Sequence, residues 1–300
     1  MQQRIPLGAS GIEVSPLGWG MWRFAGARRD AARACVEAAL EAGYTLFDTA
    51  DIYGWRGADG FGAAEELLGE LLRADPSLRP RMVLASKAGI HPPLPYDSSA
   101  DYLADACEAT LRRLGTDCLD LFFIHRPDLL AHPQEVAGAL ERLRAAGKIR
   151  AVGLSNFSAT QTAAVMAWLP FKLACVQIEC SALAVSALFD GVIDLAMTHK
   201  LAVLAWSPLA QGRLVHAPAP GDSPQLTAVR QALDDVAAQQ GISRELAAYA
   251  WIRRHPANPV PLVGSQHPAR IREAVAACRV QLTREQWYRV LEASLGQRMP

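Results

Sequence analysis

Runs of apolar residues recur along this chain: "SPLGWG" (15–20), "YTLFDT" (44–49), "MVLASK" (82–87) and "CLDLFFIH" (118–125) in the first half. "IRAVGLS" (149–155), "KLACVQIEC" (172–180), "LAVLAWSP" (201–208) and "VPLVGS" (260–265) follow in the second. Several are almost uninterrupted, the pattern of strands covered on both faces. Between them apolar positions fall at helical spacing. "ARRDAARACVEAALEAGY" (27–44) is rich in alanine and stops at a glycine. "GAAEELLGELLRADP" (62–76) runs into a proline, and "SSADYLADACEATLRRLG" (98–115) has serine caps at one end and Gly115 at the other. "HPQEVAGALERLRAAGK" (132–148) opens with proline and ends at a glycine, and "SATQTAAVMAWLP" (158–170) lies between a serine cap and Pro170.

Eight strand and helix units in 300 residues predict an α/β fold, a (β/α)8 TIM barrel forming one domain over residues 1–300. A doubly wound sheet competes, because strand order is invisible in a sequence. "RIPLGASGIEVSPLG" (4–18) reads as an N-terminal β-hairpin that closes the bottom of the barrel, and the chain ends in a helical tail. The proline-rich "HAPAPGDSPQ" (216–225) reads as a loop rather than a domain boundary.

Composition narrows the function. Thirty basic residues balance thirty acidic ones, which gives no support to a nucleic-acid or acidic-membrane partner. No run is long and apolar enough for a membrane helix, and "MQQRIPLGASG" lacks the features of a secretion signal, so a cytoplasmic protein is expected. Six scattered cysteines without CxxC read as small buried hydrophobes, and the absence of HExxH or clustered histidines argues against a metal. No oligomerisation motif stands out, and a monomer or weak homodimer is expected. Only four lysines occur, at 87, 148, 172 and 200, so the setting of each is informative.

Barrel enzymes carry their chemistry at the C-terminal ends of strands. Asp48, Lys87 and His125 end three successive strand runs, and Tyr53 lies in the loop after Asp48. Each alone has an ordinary structural explanation: a loop cap, a surface lysine, a satisfied core histidine, a packed ring. Together they suggest a site that polarises and protonates a carbonyl. Lys87 beside Asp48 would favour the phenolate of Tyr53 and make the phenol a better acid near neutral pH. His125 would donate a hydrogen bond to the carbonyl oxygen. An electron source is missing, which points to an external hydride donor.

"GFGAAEE" (60–66) is not GxGxxG and reads as a turn into a helix, so a dinucleotide would have to use the strand ends. Ser155, Asn156 and Gln177 offer polar groups suited to a carboxamide, and Trp206 offers a flat face. Ser207, Pro208, Leu209, Gln211, Gly212 and Arg213 form the loop that would meet the linking phosphates. Gly264, Ser265 and Gln266 turn into a helix near Pro268, where Arg270 and backbone amides suit a phosphate.

The segments "LFDTADIYG", "ASKAG", "LDLFFIHRPD", "VGLSNF", "VQIE", "AWSPLAQGRL" and "VGSQHPARI" resemble, in order and over residues 4–296, the aldo-keto reductase family. "IHRPDLL" and "LTREQWYRVLEASLG" are similar to a bacterial subgroup of soluble oxidoreductases. The resemblance implies a barrel that binds NADPH (NADP+), with NADH possible, and a catalytic tetrad of Asp48, Tyr53, Lys87 and His125. Tyr53 would be the general acid, Ser155, Asn156 and Gln177 would hold the carboxamide, and Trp206 would stack on the nicotinamide. Asp48, Gly20, Met21 and Trp22 would also meet the coenzyme. Trp206 stands where tyrosine or phenylalanine is commoner in the family, and Gly264 where many relatives carry lysine. Ser265 and Arg270 keep the family pattern for the adenosine 2'-phosphate, which favours NADPH.

A small-molecule carbonyl substrate follows, with Trp22, Tyr53, Trp55 and His125 around it and "GIHPPLPYDSS" (89–99) at the rim. The sequence does not separate a small aldehyde from a dicarbonyl, quinone or sugar derivative. Some relatives are subunits of potassium channels, and a nicotinamide-sensing interaction protein with weak turnover remains the alternative function.

Overall fold

A computed structural model describes residues 3–55 and 60–300. A two-stranded antiparallel hairpin, β1 (Ile5–Pro6) and β2 (Glu13–Val14), precedes the barrel. The barrel strands are β3 (Gly18–Gly20), β4 (Leu46–Asp48), β5 (Val83–Ala88) and β6 (Leu119–Ile124). They continue with β7 (Ile149–Ser155), β8 (Cys175–Glu179), β9 (Ala202–Trp206) and β10 (Val260–Val263). All pair in parallel in chain order, and β10 closes on β3. This is the predicted TIM barrel, and the closed ring excludes the doubly wound alternative.

Helices α1 (Arg29–Ala42), α2 (Ala63–Ala74), α3 (Ala100–Leu114) and α4 (Pro133–Ala145) separate the early strands. Their ends follow the expected chemistry: Gly43 and Gly115 cap in the left-handed conformation, and the Ser99 side chain accepts from Tyr102 N. Next come α5 (Ala159–Met166), with a Ser158–Gln161 capping box, and α6 (Val192–His199). Two helices, α7 (Pro224–Gln240) and α8 (Arg244–Arg253), lie between β9 and β10 where one was expected. Helices α9 (Pro268–Ala274) and α10 (Arg284–Leu295) complete the chain. The tail is tied to α8: Trp251 and Trp287 stack at 5.3 Å, and each indole N–H donates to the other's carbonyl at 3.0 Å. No helix among the described residues is long and apolar enough to cross a membrane.

Two apolar layers form because strand residues alternate faces. Phe47, Leu84, Phe122, Val152, Val176 and Val203 face outward to the helices. Leu46, Ala85, Leu121, Phe123, Ala151, Cys175, Leu204 and Leu262 fill the interior, where Leu7, Ile12 and Val14 of the hairpin segment join them and plug the bottom. Gly153 makes room inside: a Cβ there would lie 2.2 Å from the Phe123 ring. The same alternation places Asp48, Lys87, His125, Ser155, Gln177 and Trp206 each two residues beyond an interior residue, so all six are turned to the inside of the barrel near its C-terminal end.

Candidate active site

Lys87 is fully buried and spends its ammonium hydrogens on three oxygens. Nζ lies 2.6 Å from Asp48 Oδ2, 2.9 Å from the Thr49 carbonyl and 3.1 Å from the Tyr53 hydroxyl. Such a cation is tolerable in the core only because Asp48 compensates it and all its donors are satisfied. The turn after β4 delivers Tyr53: Asp51 N donates to Lys87 O, and Tyr53 N donates to Ala50 O. His125 stands on the other side of the phenol, with ring centroids 5.9 Å apart in an edge-to-face arrangement. The four residues expected to act together are thus gathered at one mouth.

Their titration follows from this packing. Burial pulls the Lys87 pKa down, but Asp48 and then Tyr53 outweigh it, and the net direction is up. Lys87 is a permanent cation. Burial pushes the Tyr53 phenol up, and Lys87 only partly reverses this against the charge of Asp48. Lys87 thus acts on the phenol in the expected direction, but desolvation is the larger effect and the net direction is up. His125 is drawn well below 6.5 by burial and by the positive charges of Lys87 and Arg126. It is a neutral imidazole, and its Nδ1 has no hydrogen-bond partner among the described residues.

The polar groups beyond the tetrad are already ordered. Asn156, in the left-handed conformation at φ 63°, donates through Nδ2 to His125 O and to Ser155 Oγ. Its Oδ1 accepts from Trp206 Nε1 at 3.0 Å. With both Nδ2 hydrogens committed, Asn156 has acceptor capacity left on Oδ1, while the Ser155 hydroxyl proton remains available. Gln177 is 2% exposed, and its Nε2 donates to Asp48 Oδ1 at 2.9 Å. Trp206 is partly exposed, with the Arg126 guanidinium 5.8 Å from its ring centroid.

The loop after β9 has an unusual backbone. Ser207, Ala210 and Gln211 have φ of 49°, 49° and 61°, left-handed values that cost non-glycine residues energy, and Gly212 continues at 95°. Pro208 is buried, Leu209 is half-buried, and Gln211 and Arg213 are exposed. Ser265 Oγ accepts from His267 N, and its carbonyl accepts from Trp19 Nε1. Gly264 is exposed with open space around it, and Arg270 is exposed on the seven-residue α9. Gln266 reaches toward Gly20 O at 3.5 Å, and its own buried Oε1 has no partner among the described residues.

Other expected contacts are placed differently. The Met21 side chain is buried in the outer core, its N donates to Asp48 O and its carbonyl accepts from Phe24 N, which leaves little for a ligand. Trp22 and Trp55 are 56% and 48% exposed, so they are surface rings rather than core. Three features escaped the sequence reading. The Gln177–Asp48 bond and Arg126 over Trp206 join residues far apart in the chain. Asp51 lies in the same "DTADIYG" stretch as Asp48 and Tyr53, yet both its oxygens are buried and neither has a partner in hydrogen-bonding geometry among the described residues. A strand-end position signals Gln177; an acid in a polar loop carries no comparable mark.

With this geometry in place, similarity to known proteins becomes informative. Residues 16–294 match the model of the Aldo/keto reductase family. A 6-dehydroglucose reductase of Novosphingobium aromaticivorans is 52% identical over 299 residues, covering 98% of this chain and 96% of that protein. A 6-dehydroglucose reductase of Agrobacterium fabrum is 36% identical and covers 98% of both chains. A crystal structure of a thermostable aldo-keto reductase, solved with the inhibitor epalrestat, superposes with a TM-score of 0.83 at 24% identity, covering 97% of this chain and 100% of that one. The chain belongs to the aldo-keto reductase family and is an enzyme of its NAD(P)H-dependent carbonyl chemistry.

Proposed function

We propose that the enzyme reduces a sugar aldehyde of the 6-dehydroglucose type to the primary alcohol, with NADPH as coenzyme and Tyr53 as the acid. The carrying observation is the Lys87 ammonium bonded at once to Asp48 and to the Tyr53 hydroxyl. The sugar assignment is taken from the two relatives named for that substrate. The coenzyme suits the residues present. Ser155 and Asn156 have a free donor and acceptor for a carboxamide, Trp206 offers its ring, and Ser265 and Arg270 offer a hydroxyl and a cation to the 2'-phosphate. When bound, the reduced nicotinamide supplies the hydride to the carbonyl carbon.

The chain's own residues do the rest. Tyr53 gives its proton to the carbonyl oxygen as the alcohol forms, and in the reverse direction its phenolate takes the proton back. Lys87 stabilises the phenolate left behind, since the two atoms already touch. His125, neutral at physiological pH, donates a hydrogen bond to the same oxygen and orients it without competing for the proton. Trp22 and Trp55, both exposed rings, would flank the substrate.

Loss of NADPH absorbance with 6-dehydroglucose, compared with simple aldehydes and with NADH, tests the reading. Faster turnover of the sugar aldehyde supports it. Tight NADPH binding with no turnover of any aldehyde would overturn it in favour of a nicotinamide-sensing protein.

A further inference from the structure

Asp48 lies on β4 and Gln177 on β8, four strands apart in a closed ring of eight, so their side chains meet across the barrel axis. The contact is a hydrogen bond of 2.9 Å from Gln177 Nε2 to Asp48 Oδ1, and both residues are 2% exposed. Lys87 holds the other carboxylate oxygen at 2.6 Å. These two donors are the side-chain carboxylate's partners among the described residues. A carboxylate with one donor on each oxygen cannot rotate freely about its Cβ–Cγ bond. Asp48 is therefore pinned from the opposite wall.

We propose that Gln177 is a positioning residue for the proton donor, acting through Asp48 and Lys87 and not on the reacting atoms. Its amide shares the charge of Asp48 between two donors. Without that donor, the carboxylate presents its whole charge to Lys87, draws the ammonium toward itself and weakens the Lys87–Tyr53 bond of 3.1 Å. Lys87 is the group that opposes the effect of burial on Tyr53, so the phenol becomes a weaker acid. The backbone of Gln177 extends the link: its carbonyl accepts from Asn156 N at 2.9 Å. One residue thereby joins the carboxamide seat to the proton donor. The inference rests on the reading of Tyr53 as that donor.

The test uses the cofactor-free protein. Gln177→Met keeps the length of the side chain and removes the donor. The Tyr53 phenolate is followed by ultraviolet difference titration, subtracting the same protein carrying Tyr53→Phe. Tyr44 and Tyr249 are pushed far above the ordinary phenol range by burial and do not interfere. The expected result is an upward shift of about one pH unit, a tenfold fall in phenolate fraction at fixed pH. In an Asp48→Asn background, Gln177→Met should add no further shift. Gln177→Glu, which puts an acceptor where the donor was, should move the midpoint in the same direction and keeps the test open if the methionine variant does not fold. An unmoved midpoint in a folded variant, or a shift that persists undiminished with Asp48→Asn, would overturn the proposal. NADPH affinity, measured separately by fluorescence quenching, reports any contact of Gln177 with the carboxamide. If Tyr53→Phe retained full turnover, the acid assignment would fail, while the titration would still decide whether Gln177 governs the phenol.

Discussion

The Tyr53 hydroxyl lies 3.1 Å from Lys87 Nζ, a lysine with no exposure to solvent. A single buried cation thus meets both the phenol and the Asp48 carboxylate. Tyr53→Phe removes the phenol's proton and leaves the ring in place against His125. Turnover is expected to fall by roughly two orders of magnitude or more, with NADPH affinity nearly retained. Steady-state kinetics at saturating coenzyme, with a parallel binding titration, decide it. Turnover close to that of the parent enzyme would remove Tyr53 from its role.

Lys87→Met leaves Asp48 buried with Gln177 as its remaining donor. Breaking a buried pair from one side costs roughly 3–5 kcal/mol, so urea unfolding should show a large loss of stability. The folded fraction should also be nearly inactive, because nothing then stabilises the phenolate. A stable, active variant would mean that Tyr53 works without the cation.

The pH–rate profile carries two signs. His125 is held well below 6.5, chiefly by burial, so it does not change charge in the neutral range. Tyr53 is held above its ordinary 10.0 by burial, and the reduction rate should fall only on the alkaline side, as the phenol loses the proton it must donate. The rate at saturating NADPH should therefore be flat from about pH 6 to 9. A break near 6.5 would show a histidine that protonates in the working enzyme.

Asp51 supplies a stability test. Burial first, and then the neighbouring Glu65 carboxyl, raise its pKa well above 3.8, against Arg113 and Lys87. Above 3.8 the unfolded chain releases this proton while the folded chain keeps it, so the residue's contribution to stability is lost as pH rises toward the folded value. Asp51→Asn has no proton to keep. Its stability relative to the parent should improve by about 1.4 kcal/mol per pH unit within that window and level off below it. Urea titrations near about pH 4, 6 and 8 would measure this. A difference that does not change with pH would indicate an ionised Asp51.

Arg270 is exposed on α9, and Gly264 brings no charge to the same turn. Arg270→Ala should weaken NADPH by about 1–2 kcal/mol and leave NADH almost unchanged, since the 2'-phosphate alone distinguishes them. Titrating both coenzymes at fixed ionic strength separates the outcomes. Equal losses would put Arg270 at the shared pyrophosphate, and no loss would remove it from the site.

The succession of strand and helix units and the polar residues at the strand ends were legible in the sequence, because both rest on period-2 alternation and local end signals. Leu46 to Asp48, Ala85 to Lys87 and Phe123 to His125 are the same step from an interior apolar residue to a polar one at the strand's end, and that step is local. Helix starts and stops at Ser99, Ser158, Gly43 and Gly115 are local in the same way. The second helix between β9 and β10 escaped because alanine-rich segments there lack a sharp apolar stripe to divide them. Tertiary structure decided what depends on closure of the ring. Gln177 and Asp48 are 129 residues apart, and only the eight-strand geometry sets them face to face. It also decided the net acidity of Tyr53. A sequence reveals which charges stand near a phenol, but the desolvation that outweighs them here is a property of the packed interior.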